Sequence, residues 1–161
     1  MISIWDAVVS NYKGDLNSIH GPRHWKRVSA NGLEIALTCG ADIEIVQLFA
    51  LLHDSCRVSD IHDMGHGEQA ALYAAKLRGK FLDLDDRRFG LLQHALAGHA
   101  HGKTSPDPTI GTCWDADRLE LTRCGIQPDP ALMSTEAGRR MAQALLQNRH
   151  AVLSKAKGKG Q

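Results

Sequence analysis

Val46-Gln47-Leu48-Phe49-Ala50-Leu51-Leu52-His53-Asp54 is an apolar run that closes on a histidine and an aspartate side by side. Val46, Phe49, Ala50 and His53 fall at i, i+3, i+4 and i+7, the spacing of one helix face, so His53 continues a buried stripe. Asp54 follows at once, where that helix meets its neighbours. An imidazole and a carboxylate buried together are costly unless something pairs with them. Two pairings are open. One is a helix-end hydrogen bond; the other is a divalent metal, since imidazole suits transition ions and a carboxylate favours harder ions or a metal bridge.

The rest of the chain is organised around helices. Ile2, Ile4, Trp5, Val8, Val9 and Tyr12 have helical spacing before Gly14, and Trp5 reads as core or as a cover over it. Pro22 suits the first turn of a second helix, running to about Thr38 and stopping near Gly40. On it His24, Val28 and Ile35 share a face, so His24 points inward. Asp42 is placed to cap the helix that ends on His53-Asp54, and residues 55–65 read as a loop. His66, Ala70, Tyr73 and Leu77 share an inner stripe, ended by Gly79. Residues 85–100 form a helix with Leu92, Ala95, Leu96 and His99 on its apolar face and His94 on another. After a loop, Trp114, Asp117 and Leu121 point Asp117, not Asp115, to the core. Ser134 opens a last helix to about Asn148, and residues 151–161 read as a disordered basic tail. Residues 1–150 form one domain, and no strand pattern or internal repeat is visible.

Composition narrows the function. At 161 residues, with 19 basic against 18 acidic groups, the chain can bury a core, and nothing global points to nucleic acid or a membrane surface. Cys39, Cys56, Cys113 and Cys124 have no C-x-x-C spacing and read as reduced thiols of a cytoplasmic protein. Neither a glycine-rich phosphate loop nor a G-x-S-x-G elbow is present. Nine histidines are many for this length, and most lie between positions 53 and 101.

Upstream of the His53-Asp54 pair stands His20-Gly21-Pro22-Arg23-His24-Trp25-Lys26-Arg27-Val28, and downstream Trp114-Asp115-Ala116-Asp117-Arg118-Leu119. This order of His, then His-Asp, then Asp resembles the HD-domain superfamily from about Asp15 to Gln143. The resemblance implies an all-α, single-domain bundle of about six to seven helices around a central metal site. It implies His24, His53, Asp54 and Asp117 as metal ligands for one or two Mn, Fe, Mg, Ni, Co or Zn ions. The implied activity is metal-dependent phosphohydrolysis of a small phosphate ester, such as a nucleotide, by hydroxide formed on the metal. His66, with His99 or His94, is then placed for a second metal bridged by Asp54; alternatively His66 is a general acid, or both are core histidines bonded to carbonyls. Catalytic roles fall to His66 and Asp54. Two other readings of the same ligands stay open: a di-iron oxygenase, and a non-catalytic binding module.

Arg57 and Arg23 are the substrate-binding candidates, because a guanidinium holds phosphate oxygens in pairs. In the related 5′-nucleotidase branch a glutamate tends to stand where this chain has Arg57, which argues against that branch. Arg118 and Lys103 are weaker candidates; Arg118 could instead brace Asp115, itself a support for a ligand or a helix cap. His20 reads as a cap or a support for His24, and His62 and His101 as solvated or rim residues. The expected partner is a small phosphorylated substrate, and Trp5 or Trp25, if exposed, would serve a homodimer contact.

Overall fold

A computed structural model of the protein describes residues 2–61 and 63–157, with residues 150–157 described as helix only. Among these residues are seven α-helices: α1 (Ile4–Asn11), α2 (Pro22–Cys39), α3 (Ile43–Leu52), α4 (His66–Leu77), α5 (Asp86–Gly98), α6 (Pro108–Arg118) and α7 (Glu136–Lys157). Short 3-10 turns at His99–His101, Leu119–Cys124 and Pro130–Leu132 extend α5 and α6 and precede α7. No strand forms among the described residues, only an isolated bridge between Arg78 and Leu82. The protein is all-α, and no described helix is long and apolar enough to cross a membrane.

Local chemistry sets the helix ends. Ser3 and Asp6 form a reciprocal capping box on α1. Asp42, Asp85 and Asp107 each accept backbone N–H groups at the starts of α3, α5 and α6. Pro22 stands in the first turn of α2, and Gly40 ends that helix at a φ of 71°, which a side chain rarely adopts. Asp115, buried inside α6, accepts from Ser134 N (2.7 Å), Thr135 N (2.7 Å) and Thr135 Oγ1 (2.8 Å), so it fastens the entry to α7. The cap of α7 itself is Thr135, whose Oγ1 accepts the Gly138 N–H at 2.9 Å, and Asp115 holds that cap in place. The last helix outruns its expected end at Asn148 and continues to Lys157, into the stretch read as a disordered tail. Residues 158–161 of that tail lie outside the described residues.

The main core packs α2 and α3 together with α4, α5 and α6, through Val28, Phe49, Leu52, Ala70, Leu92, Leu96 and Trp114. A smaller core of Ile35, Leu119, Met133, Ala137 and Ala142 seats α7. Trp25 corrects an expectation: it is 1% exposed, packs edge-on against Trp5 and Tyr12, and donates its Nε1–H to the His20 carbonyl at 2.8 Å. It is therefore core and offers no dimer contact. Trp5 is partly buried against the same core.

Close helix approach depends on Gly67, where a Cβ would lie 2.6 Å from the Leu96 carbonyl oxygen and 3.2 Å from the His99 ring. Gly90 on the outer face of α5 meets nothing within 4 Å. Gly67→Ala should therefore cost about 1–3 kcal/mol by overpacking α4 against α5, while Gly90→Ala should gain up to about 1 kcal/mol of helix propensity. Urea unfolding of both variants checks the contrast; two changes of the same sign would contradict this packing.

Candidate metal centre

Five helix ends deliver the site. His24 stands in the first turn of α2, His53 and Asp54 directly follow α3, and His66 opens α4. His99 directly follows α5, and Asp117 lies in the last turn of α6. His24, His53, Asp54, His66 and His99 are all buried. They fall into two groups. His24 Nε2 is 3.0 Å from His53 Nε2 and 3.2 Å from Asp117 Oδ1, and His53 Nε2 is 3.7 Å from the same Oδ1. In the other group His66 Nε2 and His99 Nε2 are 2.9 Å apart.

Asp54 stands between them. Its Oδ2 faces His53 Nε2 (3.5 Å) and His24 Nε2 (3.6 Å), whereas its Oδ1 faces His66 Nε2 (3.4 Å) and His99 Nε2 (3.7 Å). His20 Nδ1 donates to Oδ2 at 2.8 Å, because an ionised carboxylate can only accept. His20 thus supports Asp54 rather than His24.

The ring orientations are set from behind. His53 Nδ1 bonds the Ala50 carbonyl (3.0 Å), His66 Nδ1 that of Asp63 (2.6 Å) and His99 Nδ1 that of Leu96 (2.7 Å). A carbonyl only accepts, so each Nδ1 carries a proton, and a neutral ring held this way turns a bare Nε2 inward. Two bare nitrogens about 3 Å apart repel unless a proton or a cation lies between them. Metal–nitrogen bonds of about 2.0–2.1 Å at ordinary coordination angles would set neighbouring donors about 2.9–3.4 Å apart, close to the separations here. Asp117 Oδ1 is buried without a hydrogen-bond partner, a further donor aimed into the group. Both groups therefore fit a divalent ion: His24, His53, Asp117 and Asp54 Oδ2 on one side, His66, His99 and Asp54 Oδ1 on the other.

The electrostatics agree. Burial pushes the Asp54 carboxyl up, but His53, His20 and His99 outweigh it and hold the group well below the usual range. Burial likewise acts against ionised Asp117, and His24 and His53 hold it below its ordinary value. Burial pulls His24 down, yet Asp117 and Glu120 raise it overall; His66 is lowered, chiefly by burial. Two carboxylates held below their ordinary range among four imidazoles form a donor set that a cation completes.

A cavity of about 240 Å³ opens onto the centre, lined in part by Asp54, Arg57, His66, Asp117, Arg118 and Arg123. Arg57 Nη1 is 3.3 Å from His66 Nε2 and 3.7 Å from Asp54 Oδ1, at the mouth as expected. Arg23 is exposed and does not line this cavity. Its place is taken by Arg123, whose Nε donates to the Ile19 carbonyl at 2.9 Å and whose Nη2 lies 3.8 Å from Asp117 Oδ1. Arg123 Nη1 is buried with no partner. Arg118 lines the cavity, but its Nη1 donates to the Leu132 carbonyl at 2.8 Å and its Nη2 to that of Lys103, so it braces loops. Of the two histidines offered as partner to His66, His99 is in the centre; His94 is exposed and stacks on Trp114. His101 is exposed beside Glu68 at 3.4 Å, and His62 lies outside the described residues.

A 3.6-residue period does not single out Arg123 and Glu120. Asp117, Glu120 and Arg123 stand at i, i+3 and i+6, and the 3-10 turn Leu119–Cys124 has three residues per turn, so they share one face.

Comparison with known proteins bears on the architecture. No family model matches the sequence, and no curated protein matches it. A solved structure does match: the crystal structure of a predicted HD superfamily hydrolase from an uncultured Thermotogales bacterium. It is 24% identical, with a TM-score of 0.78 over 95% of this chain and 89% of that one. This chain has the HD-type fold. In it, the buried histidines and aspartates lie where helix ends converge, rather than along one helix.

A cation that binds the folded chain alone must stabilise it by mass action. Cobalt(II) at about one hundred times its dissociation constant should add about 2.7 kcal/mol. Thermal unfolding should show that rise for the wild type and a much smaller one for His53→Ala; equal Tm shifts would exclude the centre as the binding place.

Proposed function

We propose that this protein is a metal-dependent phosphohydrolase that cleaves a small phosphate ester, such as a nucleotide. The observation that carries the reading is Asp54, whose two oxygens each face a different pair of imidazole nitrogens in one buried centre. That arrangement suits two divalent ions sharing a carboxylate. Ions held there would supply Lewis acidity and lower the pKa of water towards neutrality.

The remaining work belongs to the chain. Arg57 and Arg123 line the cavity and present guanidinium groups that can fix a phosphate dianion beside the centre. The unpartnered Nη1 of Arg123 is a buried cationic donor lacking an acceptor, and a phosphate oxygen would satisfy it. A cavity of about 240 Å³ is several times the size of a phosphate and leaves room for part of the leaving group beside Ala100, Gly102, Leu121 and Cys124. His66 serves better as a ligand than as a general acid, because its proton is on Nδ1 against the Asp63 carbonyl and its inward Nε2 is bare. The same ligands could hold two irons for oxygen chemistry; the arginines beside the centre favour a phosphate anion.

Phosphate release should be screened across nucleotides, sugar phosphates and pyrophosphate with each candidate metal. Release on at least one substrate, lost in Asp54→Asn, is the expected outcome. Arg123→Ala should keep its metal but raise KM roughly tenfold or more, the loss of about one charge-assisted hydrogen bond. Oxygen consumption with iron and no phosphate release would replace this reading with the oxygenase.

A further inference from the structure

The four inward histidines are not held alike. His53, His66 and His99 each donate Nδ1–H to the carbonyl three residues back, those of Ala50, Asp63 and Leu96. Helix ends and loops make this available, because carbonyls there lack full helical partners. His24 cannot copy the arrangement. It sits inside the first turn of α2, where the carbonyl three residues back, that of Gly21, already accepts the backbone N–H of His24 (2.9 Å) and of Trp25 (3.3 Å). Its Nε2 faces His53 and Asp117, so Nδ1 points outward, and that nitrogen is buried without a hydrogen-bond partner.

One anion faces it. Glu120 Oε2 lies 3.9 Å from His24 Nδ1, beyond direct hydrogen-bond length, and the same oxygen accepts from Arg27 Nε. Arg27 stands on α2 three residues after His24, and Glu120 three residues after Asp117 on the 3-10 turn. The carboxylate is thus fixed between α2, which supplies His24, and the 3-10 turn that follows Asp117.

We propose that Glu120, clamped by Arg27, is the positioning residue for His24. It replaces the carbonyl that holds the other histidines, fixing the His24 tautomer with Nδ1 protonated and raising the donor strength of Nε2 towards a metal. The inference rests on the metal reading of the centre but not on the phosphohydrolase activity. Because a carboxylate polarises the ring more than a carbonyl does, His24 is the most strongly donating imidazole of the set.

The test compares wild type, Glu120→Gln and Arg27→Gln, using cobalt(II) alone as probe. Affinity is read by chelator competition, and the exchangeable histidine N–H protons of the cobalt-loaded protein by proton NMR. Glu120→Gln should bind cobalt about 10- to 100-fold more weakly, and Arg27→Gln should lose less. In the spectrum one histidine N–H signal should move or broaden while the carbonyl-held ones stay in place. Unchanged affinity and spectrum overturn the positioning role, and so does a uniform displacement of all the signals, which general structural damage would produce. Failure of the wild type to bind cobalt overturns the metal reading, and this inference with it. Cobalt binding without phosphate release from any ester overturns the hydrolase reading alone, leaving the affinities of the variants to decide the role of Glu120.

Discussion

Everything in this fold converges on one desolvated carboxylate. Asp54 is 2% exposed, in a position where an unpaired charge would cost several kcal/mol. It is tolerated because His20 donates to it at 2.8 Å and the ends of separate helices bring the Nε2 atoms of His24, His53, His66 and His99 around it, a set that a cation completes. No single helix could do this, since side chains on one helix face point in one direction. The centre is therefore a product of tertiary packing. Gly67 lets α4 approach α5 closely enough for His66 to meet His99, and Asp115 ties α6 to the start of α7.

Helix termini do a second job. The carbonyls that a helix leaves over at its C-terminus are acceptors in need of donors, and His53 and His99 supply the N–H from just beyond α3 and α5. One bond satisfies the helix end and fixes which ring nitrogen faces the centre. His24, placed at a helix start, has no such carbonyl, and its outward Nδ1 lies 3.9 Å from the Glu120 carboxylate.

How much of this was legible in the sequence follows from which periodicity carried it. His24, His53, His66 and Asp117 sit on strong 3.6-residue stripes, so their inward direction could be read, and the structure brings all four to the centre with Asp54. His99 could be told from His94 only by its apolar neighbours Leu92, Ala95 and Leu96, and packing settles it. Arg23 stands next to His24 in the sequence, but adjacent residues on a helix point about 100° apart, and it is exposed. Arg123 and Glu120 follow a three-residue period set by a 3-10 turn, whose presence depends on how α6 ends rather than on any hydrophobic pattern. The depth of Trp25 was hidden for a similar reason: its burial comes from Trp5 and Tyr12, in and just beyond α1, a separate helix.

The proposal that Asp54 serves two ions is tested most directly by metal content per chain, measured by elemental analysis after loading with cobalt(II) and removal of excess. Two ions per wild-type chain, falling to one in His99→Ala, is the expected result. No bound metal, or the same content in both proteins, would contradict it.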